Sequence, residues 1–170
     1  MPKRLSLWLV VAAALLLAGC PSIKLISDYD EKLDQGVSEL QKKVEKILSK
    51  IESSPQDPKK TYAEADYAEI KQDLSVLITR ASSWDKNDLT VKQLYNLGYA
   101  LLADPLVAPE DLKLAAPDRE QSLQGRHNKS EAFKPQDLVD LRGILNVDFQ
   151  AILKLELAKK RGASSTATSK

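Results

Sequence analysis

The stretch DYDEKLDQGVSELQKKVEKILSKIES, residues 28–53, sets its apolar side chains at helical spacing. Counting from Ile26, they fall at Tyr29, Leu33, Val37, Leu40, Val44, Ile47 and Ile51. Steps of three and four residues put all of them on one side of an α-helix and leave Lys, Glu and Gln on the other. Asp28, three residues before Glu31, resembles a capping arrangement. Acids in the first turn also complement the positive end of the helix dipole. Pro55 and Pro58 exclude continuation. A helix is therefore predicted over about Asp28–Ser53. Its narrow stripe fits either half of an intermolecular coiled coil or one member of an intrachain bundle.

The rest of the chain favours the bundle. A second helix is predicted from about Thr61 to Ser82, with Ala63, Tyr67, Ile70, Leu74, Leu77, Ile78 and Ala81 at the same spacing. Residues 83–88 form a turn that offers N-caps for a third helix, about Leu89–Ala103, carrying Leu94, Tyr95, Leu97, Leu101 and Leu102. Gly98 inside it disfavours helix by up to about 1 kcal/mol, which implies a close approach to a neighbouring helix. Prolines at 105, 109, 117 and 135 make the next segment irregular. A short helix from Pro109 to about Ala115 and a mobile polar loop over 118–134 are expected there. Pro135 opens the last helix, to about Arg161, with Leu138, Leu141, Leu145, Phe149, Ile152 and Leu153 inward. Lys159, Lys160 and Arg161 suit its C-terminal dipole end and Gly162 is a natural stop. Residues 162–170 read as a disordered tail. Three further apolar faces need cover, and an intrachain arrangement covers all of them. The fold class is all-α: an antiparallel bundle of about four helices, with a proline-rich irregular segment before the last.

The N-terminus has a different character. Lys3 and Arg4 precede an apolar run, Leu5–Leu17, broken only by Ser6, and then come Ala18, Gly19 and Cys20. The run is too short to span a bilayer, which takes roughly 20 apolar residues, and Pro21-Ser22 is no basic stop-transfer cluster. The order of charge, apolar run and small residues is that of a secretory leader, and Leu17-Ala18-Gly19-Cys20 resembles a bacterial lipobox. The resemblance implies that residues 1–19 are a lipoprotein signal peptide removed at Cys20, which then carries palmitate-class chains into a membrane. Residues 20–27 would be a tether and 28–161 the helical domain. Cys20 is the only cysteine, so lipidation would also dispose of a lone thiol in an oxidising compartment. The implied location is the periplasmic side of a Gram-negative membrane. Pro21 stands where an Asp would favour inner-membrane retention, which leaves inner and outer membrane both open, the outer favoured over the inner.

Charge adds a constraint. Losing Lys3 and Arg4 with the leader takes the balance from 25 basic and 24 acidic side chains to 23 and 24. Such a neutral chain has no electrostatic footprint for nucleic acid. Aromatic residues are 5% of the chain, which suits an aliphatic helical core.

Chemical sites are sparse. His127, the only histidine, lies in Arg126-His127-Asn128-Lys129, without the cysteine ligands of a zinc site. No nucleophile elbow, phosphate loop or zinc-protease helix is present. No catalytic residue, metal or cofactor is therefore assigned. Trp84 could anchor a partner or cap the bundle at the turn between the second and third helices. Arg119, Arg126, His127 and Lys129 give the 118–135 loop local basic character, offset by Asp118, Glu120 and Glu131. Tyr62, Tyr67, Tyr95 and Tyr99 read as core-edge packing. The expectation is a non-enzymatic interaction or structural protein, held to the membrane through Cys20, with an envelope protein or polymer as partner. The alternatives are an envelope hydrolase that cuts peptidoglycan or polysaccharide with a carboxylate pair, or an inhibitor or immunity protein.

Overall fold

The computed structural model describes residues 27–167, with side chains through residue 162, and five helices lie among the described residues. They are α1 (Glu31–Ser53), α2 (Glu64–Ser82), α3 (Asp88–Leu101), the short α4 (Leu123–His127) and α5 (Pro135–Ala167); two 3-10 turns lie at Pro58–Thr61 and Glu110–Leu112. No strand occurs among the described residues. The leader, Cys20, most of the tether and residues 168–170 lie outside them.

The four long helices run up, down, up and down. α1 packs on α2 and α5, and α3 packs on the same two, so the helices stand at the corners of a square around one core. The periodic residues of the sequence fill it: Leu33, Val37, Leu40 and Ile51 of α1, Ile70 and Leu74 of α2, Leu94 and Leu97 of α3, Phe149 and Ile152 of α5 are all buried. Leu48 is buried as well, which widens the α1 stripe beyond a coiled-coil seam. That extra width is what lets α1 face two neighbours at once.

Local chemistry moves several boundaries. Asp30, not Asp28, caps α1, its carboxylate accepting from the amides of Lys32 and Leu33. α2 begins at Glu64 because the Pro58–Thr61 turn occupies the residues before it. The helix expected over 109–115 shrinks to one 3-10 turn. The expected mobile loop at 118–134 contains α4, with Leu123, His127 and Phe133 buried. The last helix passes through Gly162 to Ala167 instead of stopping. A Cβ at Gly162 would meet nothing within 4 Å, and that glycine lies in helical geometry, so it provides no left-handed cap.

Gly98 is buried on α3, but a Cβ there would sit 3.6 Å from Leu74 Cδ1, an ordinary contact. The tight helix approach is instead at Gly36, where a Cβ would come within 2.7 Å of Leu77 Cδ2. Space is thus available at Gly98 and the propensity gain is uncompensated. Gly98→Ala should stabilise the fold by about 0.5–1 kcal/mol in urea unfolding; a loss of stability would show that α2 and α3 pack more tightly there.

Candidate functional site

Two polar centres mark opposite ends of the bundle. At one end, α4 is built by turn chemistry. The Asp118 carboxylate accepts from the amides of Glu120 and Gln121, and the Ser122 hydroxyl caps α4 through the Gly125 amide at 3.0 Å. Gly125 is required by close approach: a Cβ there would lie 2.0 Å from the Arg119 carbonyl oxygen.

This folding carries His127 inward, to zero exposure. Its Nδ1 is 2.7 Å from the Tyr67 hydroxyl and its Nε2 is 3.1 Å from Thr61 Oγ1. The Thr61 hydroxyl donates to the Pro58 carbonyl at 2.9 Å, so Thr61 accepts from Nε2–H and Tyr67 donates to Nδ1. That fixes a neutral imidazole with the proton on Nε2. Burial holds its pKa below the usual histidine value and pushes the Tyr67 phenol up, keeping it a donor. Tyr62 stacks on Tyr67 with ring centroids 5.5 Å apart and meets His127 edge-on. The sequence placed His127 in a surface loop among possible partner contacts; here it pins α4 to α2, with both nitrogens engaged.

The other basic residues of that segment do reach the surface, each beside an acid. Arg126 lies over the Phe133 ring and 3.6 Å from Asp137. Lys129 meets Glu120 at 3.0 Å, and Arg119 is 4.0 Å from Asp104. They border two shallow clefts that share Glu120 and Lys129, of about 260 and 400 Å³. The smaller mixes Glu120, Glu131 and Asp137 with Arg126 and Lys129 over Phe133. The larger contains Tyr62, Glu64, Arg119 and Gln124, and the Tyr62 hydroxyl donates to Glu64. This is a mixed-charge surface, suited to polar contacts with a partner and unlike a purely basic groove.

The second centre lies at the opposite end and was not foreseen. Lys159 of α5 is nearly buried, and its three N–H bonds go to Glu156 Oε1 at 2.5 Å, Asn87 Oδ1 at 2.6 Å and Thr90 Oγ1 at 2.9 Å. Glu156, with no exposure, also accepts from the Thr90 hydroxyl and the Asp30 amide. Asn87 accepts from the Ser27 hydroxyl and donates to the Ala81 carbonyl. Beside it, Arg80 Nη2 donates to Asp30 Oδ1 at 2.8 Å, and its Nε faces Oδ2 at 2.6 Å, off hydrogen-bond angle, as an ion pair. Burial raises the Asp30 carboxyl, but the bonds from Arg80 and the Leu33 amide outweigh it and its pKa lies below the ordinary value. The signal was readable: Glu156 and Lys159 continue the inward register of Phe149 and Ile152 by steps of four and three, and a charged residue on an apolar register needs partners. Trp84 is half-exposed in the adjoining turn, at the end away from Arg119, Arg126 and Lys129. The candidate contacts thus split between two ends, with His127 inside.

Among the described residues no three His, Cys, Asp or Glu side chains come together as a metal site. No family model matches the chain, and neither a curated protein nor a solved structure matches it.

The two centres respond to change in different ways. Because folding lowers the His127 pKa, the unfolded chain binds the proton more readily, and stability rises with pH across the interval. The His127 contribution should be intact above about pH 6.5 and shrink as pH falls below it. Urea unfolding at about pH 7.5 and pH 5 should show that loss in the native chain and less of it in His127→Gln; equal losses would remove His127 as the cause. At the other end, Lys159→Met strands a buried carboxylate and should lower stability by about 3–5 kcal/mol, while Glu156→Leu/Lys159→Met should recover much of it.

Proposed function

We propose that this chain is a lipid-anchored, non-enzymatic interaction or structural protein of a Gram-negative cell envelope. The observation that carries the reading is Cys20, the single cysteine, at the end of Leu17-Ala18-Gly19-Cys20 behind a short apolar run. Two or more acyl chains, each contributing about 0.8 kcal/mol per buried methylene, make such anchoring durable. No helix among the described residues is long and apolar enough to cross a membrane.

The tether sets the orientation. The seven steps from Cys20 to Ser27 span at most about 25 Å when extended, which keeps Ser27, and with it the Glu156–Lys159 end, next to the bilayer. The α4 end then points away from it, at the far end of a helix of 23 residues, about 35 Å long. In this reading the mixed-charge surface of Arg119, Arg126 and Lys129 meets an envelope protein or polymer, and Trp84 stays on the membrane side as a cap on the turn. The pairing of Glu120 with Lys129 and of Asp137 with Arg126 supports a contact surface over a free carboxylate pair. Pro21 leans the location toward the outer membrane.

Cys20→Ser should accumulate as unprocessed precursor that takes up no labelled fatty acid; normal maturation of that variant would overturn the anchor. Turnover of cell-wall substrates by the purified protein, abolished by one acidic substitution, would overturn the non-enzymatic half.

A further inference from the structure

The outward face of α5 differs from those of α1 and α2. α1 exposes Lys32, Glu39, Lys42 and Lys46, and α2 exposes Glu64, Glu69, Gln72 and Thr79 with a single large apolar side chain, Val76, 61% exposed. α5 instead exposes Val139, Ile144 and Val147 by 59%, 59% and 67%, with Gly143 open between them. Between Asp140 and Lys154 the charged residues turn elsewhere. Arg142 reaches back to Glu45 and Glu52 of α1, and Asp148 sits about 100° round the helix from Val147, partly covered. The uncharged strip is closed at its two ends by Asp140 and Lys154. Asp140 accepts from the Gln136 amide; Lys154 has no ion-pair partner in the chain among the described residues, although it is exposed.

We infer that this face pairs with the same face of a second copy, antiparallel, about a two-fold axis through Val147. The register follows from the sequence. In an antiparallel pair, positions equidistant from the axis meet, so Gly143 lies against Ala151 of the second copy and Asp140 against Lys154, twice over. The small residues allow the helix axes to come within about 8 Å, with the two Val147 side chains packed at the centre. The charges sit about 10 Å to either side, opposite in sign across the interface. A parallel pair would set Asp140 on Asp140 and Lys154 on Lys154, which is repulsive. The face is about 20 Å long and 10 Å wide, well below the area of a standard stable interface, so the dimer is weak and forms where copies are concentrated. The two-fold turns the Ser27 ends of the two copies to opposite ends of the pair, so the pair forms between copies not held upright on one membrane, and the pairing does not depend on lipid.

Cross-linking tests the register in the full chain. Single variants Val147→Cys, Asp140→Cys, Lys154→Cys and a control, Gln72→Cys on exposed α2, are treated with a short bis-maleimide; Cys20 is common to all and sets the background. Val147→Cys should form a covalent dimer well above the control. Asp140→Cys and Lys154→Cys should each fail alone, because each lies about 20 Å from its own copy, and should cross-link when mixed. In the Val147→Cys background, Lys154→Glu should reduce the yield about three- to tenfold, and Asp140→Lys with Lys154→Glu should restore it. Val147→Cys no better than the control would overturn the dimer. Self-linking by Asp140→Cys would overturn the antiparallel register. Neither outcome bears on lipidation at Cys20, so the two ideas fail separately.

Discussion

A lysine with almost no access to water has to find an anion and two further acceptors, or it unfolds its surroundings. Lys159 finds them in Glu156, Thr90 and Asn87, and these residues come from different parts of the chain. Asn87 and Thr90 fix the start of α3 against α5, and Glu156 holds the Asp30 amide, where α1 is capped. Asp30 then grips Arg80 near the end of α2. Helical apolar faces can slide past one another at small cost, because aliphatic contacts are interchangeable and non-directional. A buried ion pair with directional hydrogen bonds permits one register only, and this is the best-attested use of such groups. The network fixes the relative heights of four helices at one end, and the apolar core fills what lies beyond.

The opposite end is organised by a neutral device. There the chain Tyr67, His127, Thr61 and Pro58 passes hydrogen bonds in one direction, and it seats a helix of five residues that could not persist alone. Charge at one end and neutrality at the other divide the work: the first specifies register among long helices, while the second fastens an irregular segment to them.

The long helices were legible in the sequence because their apolar spacing is a local property. Leu33 to Ile51 reads as a face without knowledge of the rest, and so does Leu138 to Ile152. The irregular segment was harder. Residues 118–134 are polar and contain Gly125, the usual marks of a loop, yet Gly125 is there because the Arg119 backbone passes close. His127 carries no local sign of being buried, since its partners Tyr67 and Thr61 are sixty or more positions away. Lys159 is legible in principle from the inward register of Phe149 and Ile152, but beside Lys160, Arg161 and Gly162 it reads as a dipole charge at a helix end, and the helix does not end there. Of the candidate contacts, Arg119, Arg126 and Lys129 gather at one end of the bundle; nothing local could separate Trp84 from them by the length of a helix.

The entry point of the chain has a mechanical consequence. Ser27 is tied to the Lys86 carbonyl and to Asn87, and Asp30, three residues on, to Arg80 and Glu156. Any pull applied upstream of Ser27 therefore meets polar bonds to α2, α3 and α5 before it can strip α1 from the core. Load arriving through one strand of polypeptide is spread over the whole bundle at the first residues it reaches, so the body resists being peeled open from the N-terminal side of α1.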